Sequence, residues 1–166
     1  MAMQADSWEC TREGLRHAQT LVSFQRFPKP AGPLAVEAVR SYGALPPGQV
    51  GTEILLPLPD DDAFWIGVIL SGEGADGLSL HADLADGRRI ALSGVRHASL
   101  LSIMGFADGD ALQPFTRPRV TSIGIGIGSD TRSVKIVSPD EFTRLTGRKG
   151  PEALRDDSAY KGWRLP

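Results

Sequence analysis

Apolar and polar residues alternate through most of the middle of this chain. LSLHADL (78–84) sets Leu78, Leu80, Ala82 and Leu84 against Ser79, His81 and Asp83, the period of two that marks a half-buried strand. ADG follows and RRIALSGV (88–95) resumes the pattern, so Asp86-Gly87 is expected to turn a hairpin. RVTSIGIGIG (119–128) and RSVKIVS (132–138) predict a second hairpin around Ser129-Asp130. FWIGVIL (64–70), a continuous apolar run between DDD and SGEG, reads as a fully buried strand. The prolines of TEILLPLP (52–59) confine that strand to a sheet edge or to a strand end. SLLSIMGF (99–106) fits strand and helix alike.

A helical period occurs only towards the two ends. SWECTREGLRHAQT (7–20) predicts a helix capped by Ser7, with Leu15, Ala18 and Leu21 as its buried stripe. After the connection FPKPAGP, LAVEAVRS (34–41) predicts a second, short helix. At the other end PDEFTRLTG predicts a helix capped by Asp140 and ended by Gly147, and PEALRDDSAYKGW a further one. The chain therefore reads as a single domain, 1–166, with a helical or irregular segment (1–45), an antiparallel β core (50–138), and short helices with a tail (139–166). The expected class is mainly β with flanking helices (α+β), an antiparallel β-sandwich or barrel of jelly-roll-like type. A parallel α/β fold would need crossover helices between the middle strands, and the pattern contains none. QPFTRPRVTSIGIGIG (113–128) and the β-run after it are similar to the late strands of galactose-binding-like jelly rolls, which implies the same sandwich architecture.

Length and composition agree with a globular chain. The 166 residues suffice for one domain, burying roughly 70% of the unfolded surface. The lone cysteine, Cys10, has no internal disulfide partner. The opening MAMQADSWECTREGLRH carries charges where a signal peptide needs its apolar stretch, so a cytoplasmic location is expected, with no membrane contact. Charge is uneven: residues 51–110 carry three basic and ten acidic groups, net −7, and residues 111–166 carry ten basic and six acidic groups, net +4. Within one fold the two regions can offset each other; between molecules they favour head-to-tail association. No basic run interleaved with aromatics marks a nucleic-acid surface.

The run SIGIGIGSD (122–130) poses the sharpest question. A two-residue turn at Ser129-Asp130 would pair Ile127 with Arg132, Ile125 with Val134 and Ile123 with Ile136, one apolar face for the core. Gly124, Gly126 and Gly128 then share the other face with Ser133, Lys135 and Val137. Each strand glycine sacrifices about 0.5–1 kcal/mol relative to alanine, so something is expected to lie close over them. The choices are a helix of the same chain, a strong bend, or a groove for a ligand or a partner's backbone, including a second copy. Lys135, with Arg117, Arg119 and Arg132 nearby in sequence, favours an anionic or polyhydroxyl occupant.

Catalytic signatures are sparse. GEGADG (72–77) has the form G-x-G-x-x-G, but a strand pattern follows it, where a dinucleotide site needs a helix N-terminus. LSGEGADG (70–77) resembles eight residues of asparagine synthetases, without that family's nucleotide-binding loop. His81 and Asp83 share a strand face and His97 lies on the next segment, a set similar to the metal sites of cupins and of two-histidine, one-carboxylate iron oxygenases. The register of the first hairpin decides it. A two-residue turn sets Asp83 opposite Ile90 and points His97 away, whereas a three-residue turn brings His97 round. Acidic loops (Asp60-Asp61-Asp62, Glu73 with Asp76, Asp108 with Asp110) could hold Ca²⁺ if they converged. Cys10 and His17 would stand two helical turns apart, beyond hydrogen-bond reach, and no G-x-S-x-G, H-E-x-x-H or C-x-x-C occurs.

The expected function is a non-catalytic binding module, with no cofactor, for a protein partner or a small polar, carbohydrate-like ligand. The alternatives are a cupin-like protein or enzyme holding a divalent metal on His81, Asp83 and His97, and a structural subunit of a homo-oligomer.

Overall fold

The computed structural model of the protein describes residues 7–34, 41–70 and 77–154. In chain order the strands are β1 (Glu9–Cys10), β2 (Leu15–His17), β3 (Thr20–Pro28), β4 (Gly48–Val50), β5 (Glu53–Pro57), β6 (Asp62–Ile69), β7 (Leu78–Leu84) and β8 (Arg89–Ala91). They continue with β9 (Val95–His97), β10 (Leu100–Ile103), β11 (Phe106–Asp108), β12 (Ala111–Gln113), β13 (Val120–Ile127) and β14 (Asp130–Val137); α1 (Pro139–Thr146) closes the series. One six-stranded sheet runs β1-β2-β3-β6-β10-β9 and another β4-β5-β14-β13-β7-β8, with β11 and β12 as a separate pair. Both large sheets end in free edges, so the closed-barrel option does not hold for the described residues. Apolar residues of both sheets belong to one buried cluster, Val22, Phe24, Phe64 and Ile66 from the first and Leu80, Ala82, Ile123, Ile125 and Val134 from the second.

The expected N-terminal helix is instead three antiparallel strands. Val22 and Phe24 point into the core while Leu21 lies on the opposite face of β3, so Leu15, Ala18 and Leu21 never form one stripe. Ala18, at φ +52°, helps turn β2 into β3. Gly14 passes so close beneath β3 that a Cβ there would stand 2.0 Å from the Val22 carbonyl oxygen. Most of the expected helix at 34–41 lies outside the described residues.

The middle of the chain follows its period. β6 is buried between β3 and β10, and the stretch 99–106 contains strand β10 and the first residue of β11, with no helix. β5 is not an edge: it lies between β4 and β14 and pairs parallel to β14, against the all-antiparallel expectation. Pro57 is tolerated as the last residue of β5, and the ladder continues through Leu58 N–H to the Val137 carbonyl at 2.9 Å.

The first hairpin takes the three-residue alternative, and the second turns one residue earlier than expected. The first has a three-residue loop, Ala85 to Gly87, with Gly87 at φ +92°, and pairs Asp83 with Arg89 and His81 with Ala91. The second turns at Gly128-Ser129, pairing Ile127 with Asp130 and Ile123 with Val134. That shift moves every partner by two residues, so the isoleucines keep the core face.

Helix α1 forms where expected, ended by Gly147 at φ +74°. Its cap is Ser138, not Asp140: the Ser138 hydroxyl accepts from Glu141 N–H at 3.1 Å, with proline at the first helical position. The SPDE spelling of a capping box was the signal. The further helix expected from Pro151 onward is absent from 151–154, and its remainder lies outside the described residues.

Candidate functional site

Period-two alternation aims three polar rows outward from the second sheet: Ser79, His81 and Asp83 on β7, Ser122 on β13, and Thr131, Ser133 and Lys135 on β14. Gly124 sits between His81 and Ser133 in the ladders. A Cβ added at Gly124 would stand 2.0 Å from Cε1 and 2.2 Å from Nε2 of His81. The imidazole therefore lies across the glycine and fills the space a side chain would take. At Gly126 the neighbours are Thr131 Cγ2 at 3.0 Å and Ser79 Oγ at 3.1 Å, whereas Gly128 serves the turn at φ +58°. Among the described residues no helix covers these glycines; α1 packs further along the same sheet, on Leu55 and Val137, with Phe142 against Gly48.

Asp83 organises the cluster. Its Oδ1 accepts from Arg89 Nε at 2.8 Å and its Oδ2 from Ser122 Oγ at 2.9 Å. Oδ2 also faces His81 Nε2 at 3.6 Å, an ion pair when the ring is protonated, with the two side chains 32% and 27% exposed. The Arg89 hydrogen bond, helped by Ser122 and by the charges of Arg89 and His81, holds the Asp83 carboxyl below its usual range against a partly opposing desolvation. Sequence reasoning missed Ser122 and Arg89 as partners. Ser122 was recoverable from its parity with Gly124, but Arg89 faces Asp83 only in the three-residue register.

Gly124→Ala tests this arrangement. A Cβ at this position forces the ring end of His81 aside, so we expect displacement of the His81 ring resonances by NMR and a change in unfolding free energy within about 1 kcal/mol. A His81 spectrum unchanged by the substitution would contradict the stacked geometry.

The other candidate groups disperse. His97 lies on β9 at the edge of the first sheet, so even with the three-residue turn His81, Asp83 and His97 do not share a site. Among the described residues no group of three His, Cys, Asp or Glu side chains could hold a metal ion. The acidic loops meet arginines: Asp60 pairs with Arg117 at 2.6 Å, Asp62 with Arg26, and Asp108 with Arg119 and, at 3.1 Å, with Arg88. Arg117 and Arg119 thus offset the acidic middle of the chain from within the fold. Glu73 and Asp76 lie outside the described residues. Cys10 is half-buried against the core, and burial pushes its thiol above the usual value although Arg148 opposes this. Among the described residues no helix is long and apolar enough to cross a membrane.

Comparison with protein-family models, curated proteins and solved structures gives no match to this chain.

Proposed function

We propose that the protein is a non-catalytic binding module of the cytoplasm, its two large sheets forming a jelly-roll-like β-sandwich that recognises a protein partner through the outward polar face of β7, β13 and β14. The observation that carries this reading is the His81 ring laid over Gly124 and tied through Asp83 to Arg89 and Ser122. Side chains already held in one geometry lose little entropy on association. The same geometry argues against nucleophilic catalysis, because Ser122 donates to Asp83 and does not engage His81 as its base. Thr131, Ser133 and Lys135 are exposed on this face, which suits a macromolecular surface better than an enclosed small molecule.

Site-specific photo-crosslinking in cells tests it. A photoreactive residue in place of Ser133 is expected to capture a discrete partner, or a second copy of the chain, and the same probe at exposed Val95 is not. Gly126→Leu and Lys135→Glu, both on this face, should abolish capture while leaving the fold intact. Equal capture from both positions, or none from Ser133, would refute the proposal.

A further inference from the structure

We infer that the outer face of the first sheet carries a second site, a cleft that binds a small polyhydroxylated molecule. It has a volume of about 260 Å³ and opens over Ser23 and Gln25 of β3, between the β1–β2 loop and the segment at 41–44. Its walls include Leu21 and Ile69, both half-buried, and exposed Glu13 stands at its rim. The size is just below the roughly 300–1,000 Å³ of clefts for drug-sized ligands, which suits a single small ring.

The floor is what marks it as a site. Ser23, Gln25 and Ser41 are 5%, 4% and 0% exposed. They form one hydrogen-bonded chain: Ser41 Oγ donates to Gln25 Oε1, Gln25 Nε2 donates to Ser23 Oγ at 2.9 Å, and Ser23 Oγ donates to the Gly67 carbonyl at 3.2 Å. Ser41 Oγ also accepts from Gly43 N–H at 3.1 Å. Buried polar groups are stable only when hydrogen-bonded, and this chain of bonds fixes their orientation along the cleft. Holding the neighbouring segment does not require them, since backbone bonds already do so: Tyr42 N–H to the Arg26 carbonyl (2.8 Å), Arg26 N–H to the Gly43 carbonyl (2.9 Å) and Leu45 N–H to the Phe24 carbonyl (2.8 Å).

The capacity left over selects the ligand chemistry. Both serine hydrogens are committed and Ser41 is fully buried, so among the described residues the capacity left is the second amide N–H of Gln25 and one lone pair on each of Ser23 Oγ and Gln25 Oε1. Hydroxyl groups donate and accept, so a polyol can meet the lone pairs and the N–H together. An ammonium offers no acceptor for the N–H, and a carboxylate would meet lone pairs and the Glu13 charge. Leu21 and Ile69 suit the C–H faces of a ring, and Glu13 can accept a further hydroxyl.

Titration of the full chain with myo-inositol, D-glucose and ethanolamine, followed by amide NMR, tests the assignment. At least one of the two polyols is expected to shift Ser23, Gln25, Gly43 and Ala44 saturably in the millimolar range. Ala44→Phe, which fills the cleft from its side, should weaken binding at least about tenfold. Glu13→Gln, at an exposed rim position, should weaken it several-fold and decides the matter if Ala44→Phe loses the native spectrum. The assignment is overturned if neither polyol binds, if ethanolamine alone does, if the shifts fall on β7, β13 and β14, or if binding survives these rim and wall substitutions. Photo-crosslinking from Ser133 reports on the other sheet, so either site can fail without the other.

Discussion

Asp62→Ala is expected to lower the unfolding free energy by about 3–5 kcal/mol, the usual cost of stripping one partner from a buried ion pair. Asp62 begins β6, is fully buried, and places Oδ2 on the Arg26 guanidinium, whose side chain is only 13% exposed. Oδ1 accepts from Leu154 N–H at 3.1 Å, and Arg26 Nη2 also donates to the Glu152 carbonyl. Alanine leaves the guanidinium buried without this counter-charge, in a side chain whose Nε already lacks a partner among the described residues. It also removes the acceptor that holds Leu154 N–H. Urea denaturation measures the stability loss, and amide exchange at Leu154 should accelerate with it. Asp62→Asn, which keeps an acceptor for Leu154, should preserve more of that protection than alanine does. A loss below about 1 kcal/mol for alanine, the value typical of an exposed pair, would mean that water reaches the guanidinium.

Phe64→Ala is expected to cost a similar amount, about 3–5 kcal/mol, for a different reason. Phe64 is fully buried, meets Phe24 edge-on at 5.6 Å and stacks on Phe115 at 5.1 Å. Phe115 in turn lies 6.0 Å from Phe106, whose ring carries the Arg119 guanidinium. Truncation removes one ring from the middle of this series and opens a cavity between the rings of Phe24 on β3 and Phe115 after β12. Thermal denaturation should show a fall of roughly 10 °C or more. Phe64→Leu, which retains most of the volume, should lose under half as much; equal losses would point to ring stacking over cavity formation. Either alanine variant would consume a large share of the 5–15 kcal/mol typical of a folded domain.

Legibility along the chain followed element length. β7, β13 and β14 are seven or eight residues long, enough for three or four repeats of the period, and their inward and outward rows were readable. β1 and β2 have two and three residues, too few to show any period, so the three-residue spacing of Leu15, Ala18 and Leu21 suggested a helix. SPDE spells the cap of α1 at Ser138, but Asp140 is equally a capping residue type, so the sequence alone leaves the helix start ambiguous by two residues. At the outward face, the glycines mark a place that something must cover. The alternation does not show that the cover at Gly124 is His81 on the neighbouring strand, a residue whose spacing to Asp83 also suits a metal ligand.

The alternation of side chains fixes which residues of a strand share a face, because successive residues of an extended chain point to opposite sides. That much of this protein is local: the isoleucines of β13 inward, its glycines outward, and His81 with Asp83 on one side of β7. Neighbours across strands are not local. Whether the first hairpin turns in two residues or three depends on which loop conformation the packed strands select, and a single residue exchanges Ile90 for Arg89 opposite Asp83. The placement of His97 in the other sheet, of Ser41 against Gln25, and of Arg26 on Asp62 depends on pairings between distant segments. Only the assembled core, by burying both sheets against one set of apolar residues, selects those pairings.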